Sequence, residues 1–199
     1  IIAQRLRADR RLRAAVDANP GLRVPGAFDG FELAVRAILG QQVTVQAAAT
    51  LAGRFVDAFG EAVPMSHTAL FRLTPTATTV AAADPSAIGE LGIIRTRARS
   101  IIALAEEVAT GRLRLEAGAD PDATVRQLVA LPGIGPWTAH YIAMRALRWP
   151  DAFPKEDIAL RNRIGGVTAA QAEELSQAWR PWRSYATLHI WQMPVVKPT

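Results

Sequence analysis

The run Leu131-Pro132-Gly133-Ile134-Gly135, followed by Pro136-Trp137-Thr138-Ala139, has the residue types of a phosphate grip. A helical pattern from Ala123 to Ala130 enters it and another from Trp137 to Leu147 leaves it, so the run reads as the turn of a helix-hairpin-helix. Glycine permits backbone geometry that a Cβ forbids, and it lets the main chain approach a ligand closely. The amides of Gly133, Gly135 and the first turn of the next helix have no intrahelical acceptor. They point outward at the positive end of a helix dipole, which suits a phosphate oxygen. Pro136 fits the first helical position, where its missing amide is no loss. The same residues would also make a tight helix-helix turn with no ligand, and both readings stand at this point.

Two more groups could do chemistry. Trp137 and Tyr141 are four residues apart and share one face of the second hairpin helix. Asp157 starts a short helical pattern further on. It can serve as a helix N-cap, as a catalytic carboxylate, or as both, because a helix N-terminus welcomes negative charge. Trp179, Trp182, Tyr185 and Trp191 crowd the C-terminus, where Trp179 and Trp182 read as core. The chain has no cysteine, which removes disulfides, thiolate nucleophiles, cysteine zinc sites and iron–sulfur clusters. Its three histidines are scattered, so a histidine metal site is not expected.

The elements that must position these groups read as helical throughout. Half of the 199 residues are hydrophobic, enough for a sizeable core, and no apolar run is long enough to span a bilayer. The net charge is +5, and of 23 basic residues only Lys155 and Lys197 are lysines. Such a balance invites an anionic partner, nucleic acid first. The chain opens at Ile1 without methionine or a signal peptide, and is expected to be a piece of a longer protein.

Residues 1–18 predict one basic amphipathic helix, whose arginines form a solvated face or a phosphate track. Helices are predicted over Phe31–Leu39 and Val43–Phe59, interrupted by Gly40-Gln41-Gln42, which is an exposed linker or a pair of long polar side chains reaching into something. Short helices and turns fill Pro64–Pro85. Ile93–Thr110 predicts a helix with Ile94, Ala98, Ile101, Ile102, Ala105 and Val108 inward, and Arg95, Arg97 and Arg99 outward. Asp157–Ile164, Thr168–Trp179 and Trp182–Trp191 complete an all-α class of about ten short helices.

Four blocks in order carry a resemblance: Arg36-Ala37-Ile38-Leu39-Gly40-Gln41-Gln42-Val43; the hairpin run through Ala139; Phe153 to Leu160 with Glu156-Asp157; and Trp182-Arg183-Ser184-Tyr185-Ala186-x-Leu188-His189-Ile190-Trp191. Together they resemble the helix-hairpin-helix (HhH-GPD) DNA glycosylases, most closely their AlkA-type 3-methyladenine glycosylase II branch. The resemblance covers most of residues 28–192. It implies an active site in a cleft between two helical subdomains, with residues 1–26 as a basic helix and loop, 27–192 as the glycosylase domain (hairpin 123–147) and 193–199 as a tail. This branch usually carries a β-rich N-terminal domain, which either lies upstream of Ile1 or is lacking in this member.

The resemblance further implies a monofunctional enzyme that flips an alkylated purine out of duplex DNA and hydrolyses its glycosidic bond. The bases would be 3-methyladenine, alone or with 7-methylguanine. Asp157 would be catalytic, with Trp137, Tyr141 and Trp191 lining the base pocket. The amides of Gly133, Gly135 and Thr138 would hold the DNA backbone, and Gln41 and Gln42 would fill the lesion gap. No cofactor is required, but the carbonyls of Val129, Leu131 and Ile134 would hold a structural Na+ or K+. Strand-cutting relatives carry a lysine where Trp137 stands, so no lyase activity is expected. The protein would be a bacterial, cytoplasmic, nucleoid-associated monomer with damaged double-stranded DNA as its partner. The rival reading is a non-catalytic helix-hairpin-helix DNA-binding module. Glu156 is the rival carboxylate.

Overall fold

The structure is a computed structural model that describes residues 1–64 and 71–194. Its first helices are α1 (Ile2–Arg7), α2 (Arg13–Ala18), α3 (Gly30–Leu39), α4 (Val45–Phe59), α5 (Ala77–Ala81), α6 (Pro85–Glu90) and α7 (Arg95–Ala109). There follow α8 (Pro121–Ala130), α9 (Pro136–Arg145), α10 (Ile158–Arg163), α11 (Ala169–Ser176) and α12 (Arg183–Gln192), with a 3-10 turn at Gln177–Trp179. Among the described residues the only strand-like pairing is a lone antiparallel bridge, Ala62 with Arg72. The all-α expectation therefore holds, with twelve α-helices among the described residues rather than about ten. Part of the predicted Pro64–Pro85 run and residues 195–199 of the tail lie outside the described residues.

Three helix predictions need correction. The N-terminal helix is two helices, broken where Asp9 accepts the Arg11 amide and the Trp179 indole. Leu6 and Leu12 would lie about 240° apart around one continuous helix, and the break lets both become buried. The fourth helix starts at Val45, because Thr44 Oγ1 accepts the Ala47 amide and caps it there. Ile94 is 59% exposed as the N-cap of α7, and Ile93 takes the buried place instead.

The helices enclose two apolar cores. The larger gathers Ile38 and Leu39 of α3, Phe55 of α4, Ile101 and Leu104 of α7, Leu128 of α8 and Ile142 of α9. The smaller gathers Leu6, Leu12 and Val16 of the N-terminal pair with Phe153, Leu160, Trp179, Ala186 and Ile190. Trp191 packs against both. The N-terminal arginines pair locally, Arg7 with Asp17 at 2.7 Å and Arg11 with Asp9 at 3.5 Å, as a solvated face does. No helix among the described residues is long and apolar enough to cross a membrane.

Candidate active site

The hairpin is built by local signals. Asp120 caps α8 by accepting the Ala123 amide, and Ile134, which is buried, returns its amide to Leu131 O at 3.3 Å. Gly133 has φ +76°, and a Cβ there would stand 2.2 Å from Ser100 Oγ of α7, so glycine is obligatory on two counts. Gly135 differs. It is the N-cap of α9 with φ −85°, and a Cβ would meet nothing within 4 Å. The fold alone does not need glycine there; close approach of a ligand would. With no side-chain cap and with Pro136 in the first turn, the α9 N-terminus presents its amides outward.

One turn further, the rings of Trp137 and Tyr141 stack with centroids 5.4 Å apart and planes 6° from parallel. Trp137 Nε1 donates to Asp157 Oδ2 at 2.7 Å, while Asp157 Oδ1 accepts the Leu160 amide at 2.6 Å as the N-cap of α10. Trp137 belongs to a helix of the larger core, and Asp157 begins one whose Leu160 is in the smaller, so this bond crosses the seam. Trp191 is half-buried at the junction of the same two cores. Glu156, the neighbouring carboxylate, leaves Oε2 buried without a hydrogen-bond partner. The structure thus joins Trp137, Tyr141 and Asp157 directly, while Trp191 packs against both cores.

Two groups escaped the sequence reading. Arg145 donates to Tyr141 OH at 3.0 Å, lies 5.6 Å from its ring centroid, and donates through Nε to Pro25 O at 2.5 Å. Its i, i+4 spacing from Tyr141 was a usable signal. Asp151 has none. It is buried and takes a two-pronged bond from Arg183, both arms at 2.9 Å, plus Arg180 at 2.8 Å. Ser184 adds bonds from Oγ to Trp149 O (2.7 Å) and Ala152 O (3.0 Å), and from its amide to Pro150 O (2.9 Å). The start of α12 therefore clamps the loop that leads into Asp157.

The two glutamines part company. Gln41 Nε2 donates to Gly133 O at 3.0 Å and Thr138 Oγ1 at 3.2 Å, which ties it to the hairpin. Gln42 is exposed, with φ +53°. Only Gln42 is free to reach outward.

Among the described residues no three His, Asp or Glu gather as a metal cage. What the hairpin offers a cation is main-chain oxygen. Helix α8 stops at Ala130, so the Val129 carbonyl has no helical amide four residues on. The Leu131 carbonyl accepts only the Ile134 amide, which leaves one lone pair. The Val129 and Leu131 carbonyls are thus hard donors at the negative end of α8, while Ile134 O precedes the start of α9; main-chain oxygens of this kind suit an alkali cation.

Residues 35–184 match the family described as "HhH-GPD superfamily base excision DNA repair protein". The chain is 46% identical, over 194 residues, to a Mycobacterium tuberculosis protein called "Probable bifunctional transcriptional activator/DNA repair enzyme AlkA"; the match covers 96% of this chain and 38% of that one. It is 42% identical over 174 residues to the Escherichia coli "DNA-3-methyladenine glycosylase 2", covering 87% and 61%. The fold superposes on a 3-methyladenine DNA glycosylase from Archaeoglobus fulgidus with a TM-score of 0.78 at 24% identity, covering 95% of this chain and 67% of that one. The chain thus spans 38% of one curated relative and 61% of the other, less than two thirds of each.

Proposed function

The chain belongs to the HhH-GPD superfamily of base excision DNA repair proteins, and on that premise we propose that it is a monofunctional DNA glycosylase for alkylated purines. The substrates are alkylated purines in duplex DNA, 3-methyladenine first, and the product is an abasic site. The observation that carries this reading is the 2.7 Å bond to Asp157 from Trp137, one ring of a stacked aromatic pair. A pure DNA-binding hairpin needs neither a fixed carboxylate nor rings aligned for a flat ligand.

The steps follow from the residues. The amides of Gly133, Gly135 and Thr138 hold a phosphate beside the lesion. Gln42 occupies the gap left by the flipped nucleotide. Trp137, Tyr141 and Trp191 receive the base, and rings rich in π electrons favour one that carries positive charge. The C1′–N bond breaks with its electron pair passing to the cationic purine, which leaves neutral, so no strong acid is required. Asp157 stabilises the developing positive sugar. An ionised carboxylate accepts about four hydrogen bonds, and two are already used, so the rest can orient water toward C1′. Water then adds at C1′, and its proton passes to Asp157 and from there to solvent. A Na+ or K+ on the carbonyls of Val129, Leu131 and Ile134 would add positive charge near the phosphate.

No lysine stands at position 137, and Lys155 Nζ is directed to Glu173 at 3.8 Å, which supports hydrolysis without strand cutting. The protein acts as a monomer on DNA in the bacterial cytoplasm. Single-turnover release of 3-methyladenine from methylated duplex, by wild type but not by Asp157→Asn, is the expected result. No release by wild type, with intact duplex binding, would leave the non-catalytic binding module.

A further inference from the structure

We propose that Gln41 is a positioning residue whose side-chain amide couples the gap-filling Gln42 to the phosphate-gripping hairpin. The role rests on the glycosylase reading for what the hairpin and Gln42 do, while the contacts themselves stand apart from it. Gln41 closes a link over more than ninety residues of chain. One nitrogen supplies a hydrogen to Gly133 O and another to Thr138 Oγ1, so a single side chain ties the turn before Gly135 to the first turn of α9 after it. The amides that would meet phosphate lie between those two tie points.

Gln41 is itself held. Arg97 NH2 of α7 donates to its carbonyl at 2.7 Å, and Ser100, three residues along the same helix, stands directly under Gly133. Helix α7 therefore braces both the glutamine and the hairpin it ties. The next residue, Gln42, sits at φ +53°, a region that costs a non-glycine residue about 1 kcal/mol. A chain free to relax would leave that region. Gln41, bonded at both its side chain and its carbonyl, keeps Gln42 there, pointing away from the protein. Any shift of the hairpin must then move Gln42, and the reverse.

The test uses a fluorescently labelled duplex with a tetrahydrofuran abasic site, titrated across a range of salt. Gln41→Leu removes both bonds at similar volume. It is expected to weaken binding roughly tenfold and to lower the salt slope by about one, with thermal stability close to wild type. Thr138→Val removes one acceptor and keeps the main-chain amide, so a smaller loss is expected. Because the two side chains act through one link, the double variant should bind within about twofold of Gln41→Leu alone. Gln42→Ala should weaken binding and leave the slope unchanged. Wild-type affinity and slope in Gln41→Leu, or a fully additive double variant, would overturn the proposal. Should Gln41→Leu fail to fold, Thr138→Val, which leaves the net charge unchanged, carries the test: a lowered slope supports the role and an unchanged one refutes it. A wild type that releases no methylated base while Gln41→Leu still changes the slope would sink the glycosylase reading and leave the positioning role standing.

Discussion

Asp9 and Asp157 each accept a hydrogen bond from a tryptophan indole, at 2.8 Å from Trp179 and 2.7 Å from Trp137. Each also accepts a nearby main-chain amide, from Arg11 at 2.8 Å and from Leu160 at 2.6 Å. Their surroundings differ. Trp179 is 1% exposed and meets Phe153 edge-on, with centroids 5.9 Å apart, so every surface of that ring is spent on packing. Trp137 is half-buried, with Tyr141 stacked on it, at a seam between two cores. The same bond therefore locks a fold in one place and in the other holds a carboxylate beside an incompletely covered aromatic stack. A hydrogen bond fixes geometry; what the fixed groups leave uncovered decides whether they can act on a ligand.

The sharpest way to break this comparison is to substitute both aspartates. Asp157→Asn should lower single-turnover base release by roughly a thousandfold or more, with little change in melting temperature because asparagine also caps helices well. Asp9→Asn should keep release near wild type and cost about 1–2 kcal/mol in a denaturant titration. Normal release by Asp157→Asn would remove Asp157 from catalysis. The two tryptophans give the next largest effect. Trp179→Phe should destabilise by about 2–4 kcal/mol, by opening a cavity and leaving Asp9 Oδ2 without its donor. Trp137→Phe should leave stability nearly intact and slow release by about 10- to 100-fold, since a carboxylate without its indole partner is less well aimed.

The hairpin glycines extend the contrast. Gly133→Ala meets both a positive φ and Ser100, and should cost about 2 kcal/mol of stability. Gly135→Ala meets nothing and should melt like wild type while binding abasic duplex less tightly. Equal melting temperatures for the two variants would contradict this division. The smallest effect concerns pH. Burial is the main cause lowering the pKa of His140, against the opposing charge of Glu156, and burial likewise lowers that of His189. Both histidines are thus held neutral in the folded state below the ordinary 6.5, where the unfolded chain takes up protons. Stability should be flat above pH 7 and fall as pH drops through 6.5, then level off below the folded values. Thermal melts at pH 7.5 and 5.5 check this, and His140→Gln should reduce the difference.

Much of the hairpin was legible because its causes are close in sequence. Asp120-Pro121 starts α8, the glycines make the turn and Pro136 opens α9, each through groups within a few residues. The N-terminal segment misled because Asp9 breaks it by bonding a tryptophan 170 positions away. Gln41 and Gln42 looked alike, and only the hairpin packed against Gln41 separates them. The Asp151–Arg183 pair was unreadable, since neither residue is unusual until burial puts them together.

The sequence by itself determined the helical class, most helix limits and the hairpin turn, because caps, glycine and proline act over one or two turns of backbone. Its four ordered blocks also carried the family. Tertiary structure decided the rest: which of two adjacent carboxylates meets Trp137, which of two adjacent glutamines is tied down, and how the loop before Asp157 is clamped. Those choices depend on side chains from segments 20 to 97 residues apart meeting within hydrogen-bond distance. Such meetings are set by the packing of elements far apart in sequence, which no local pattern encodes.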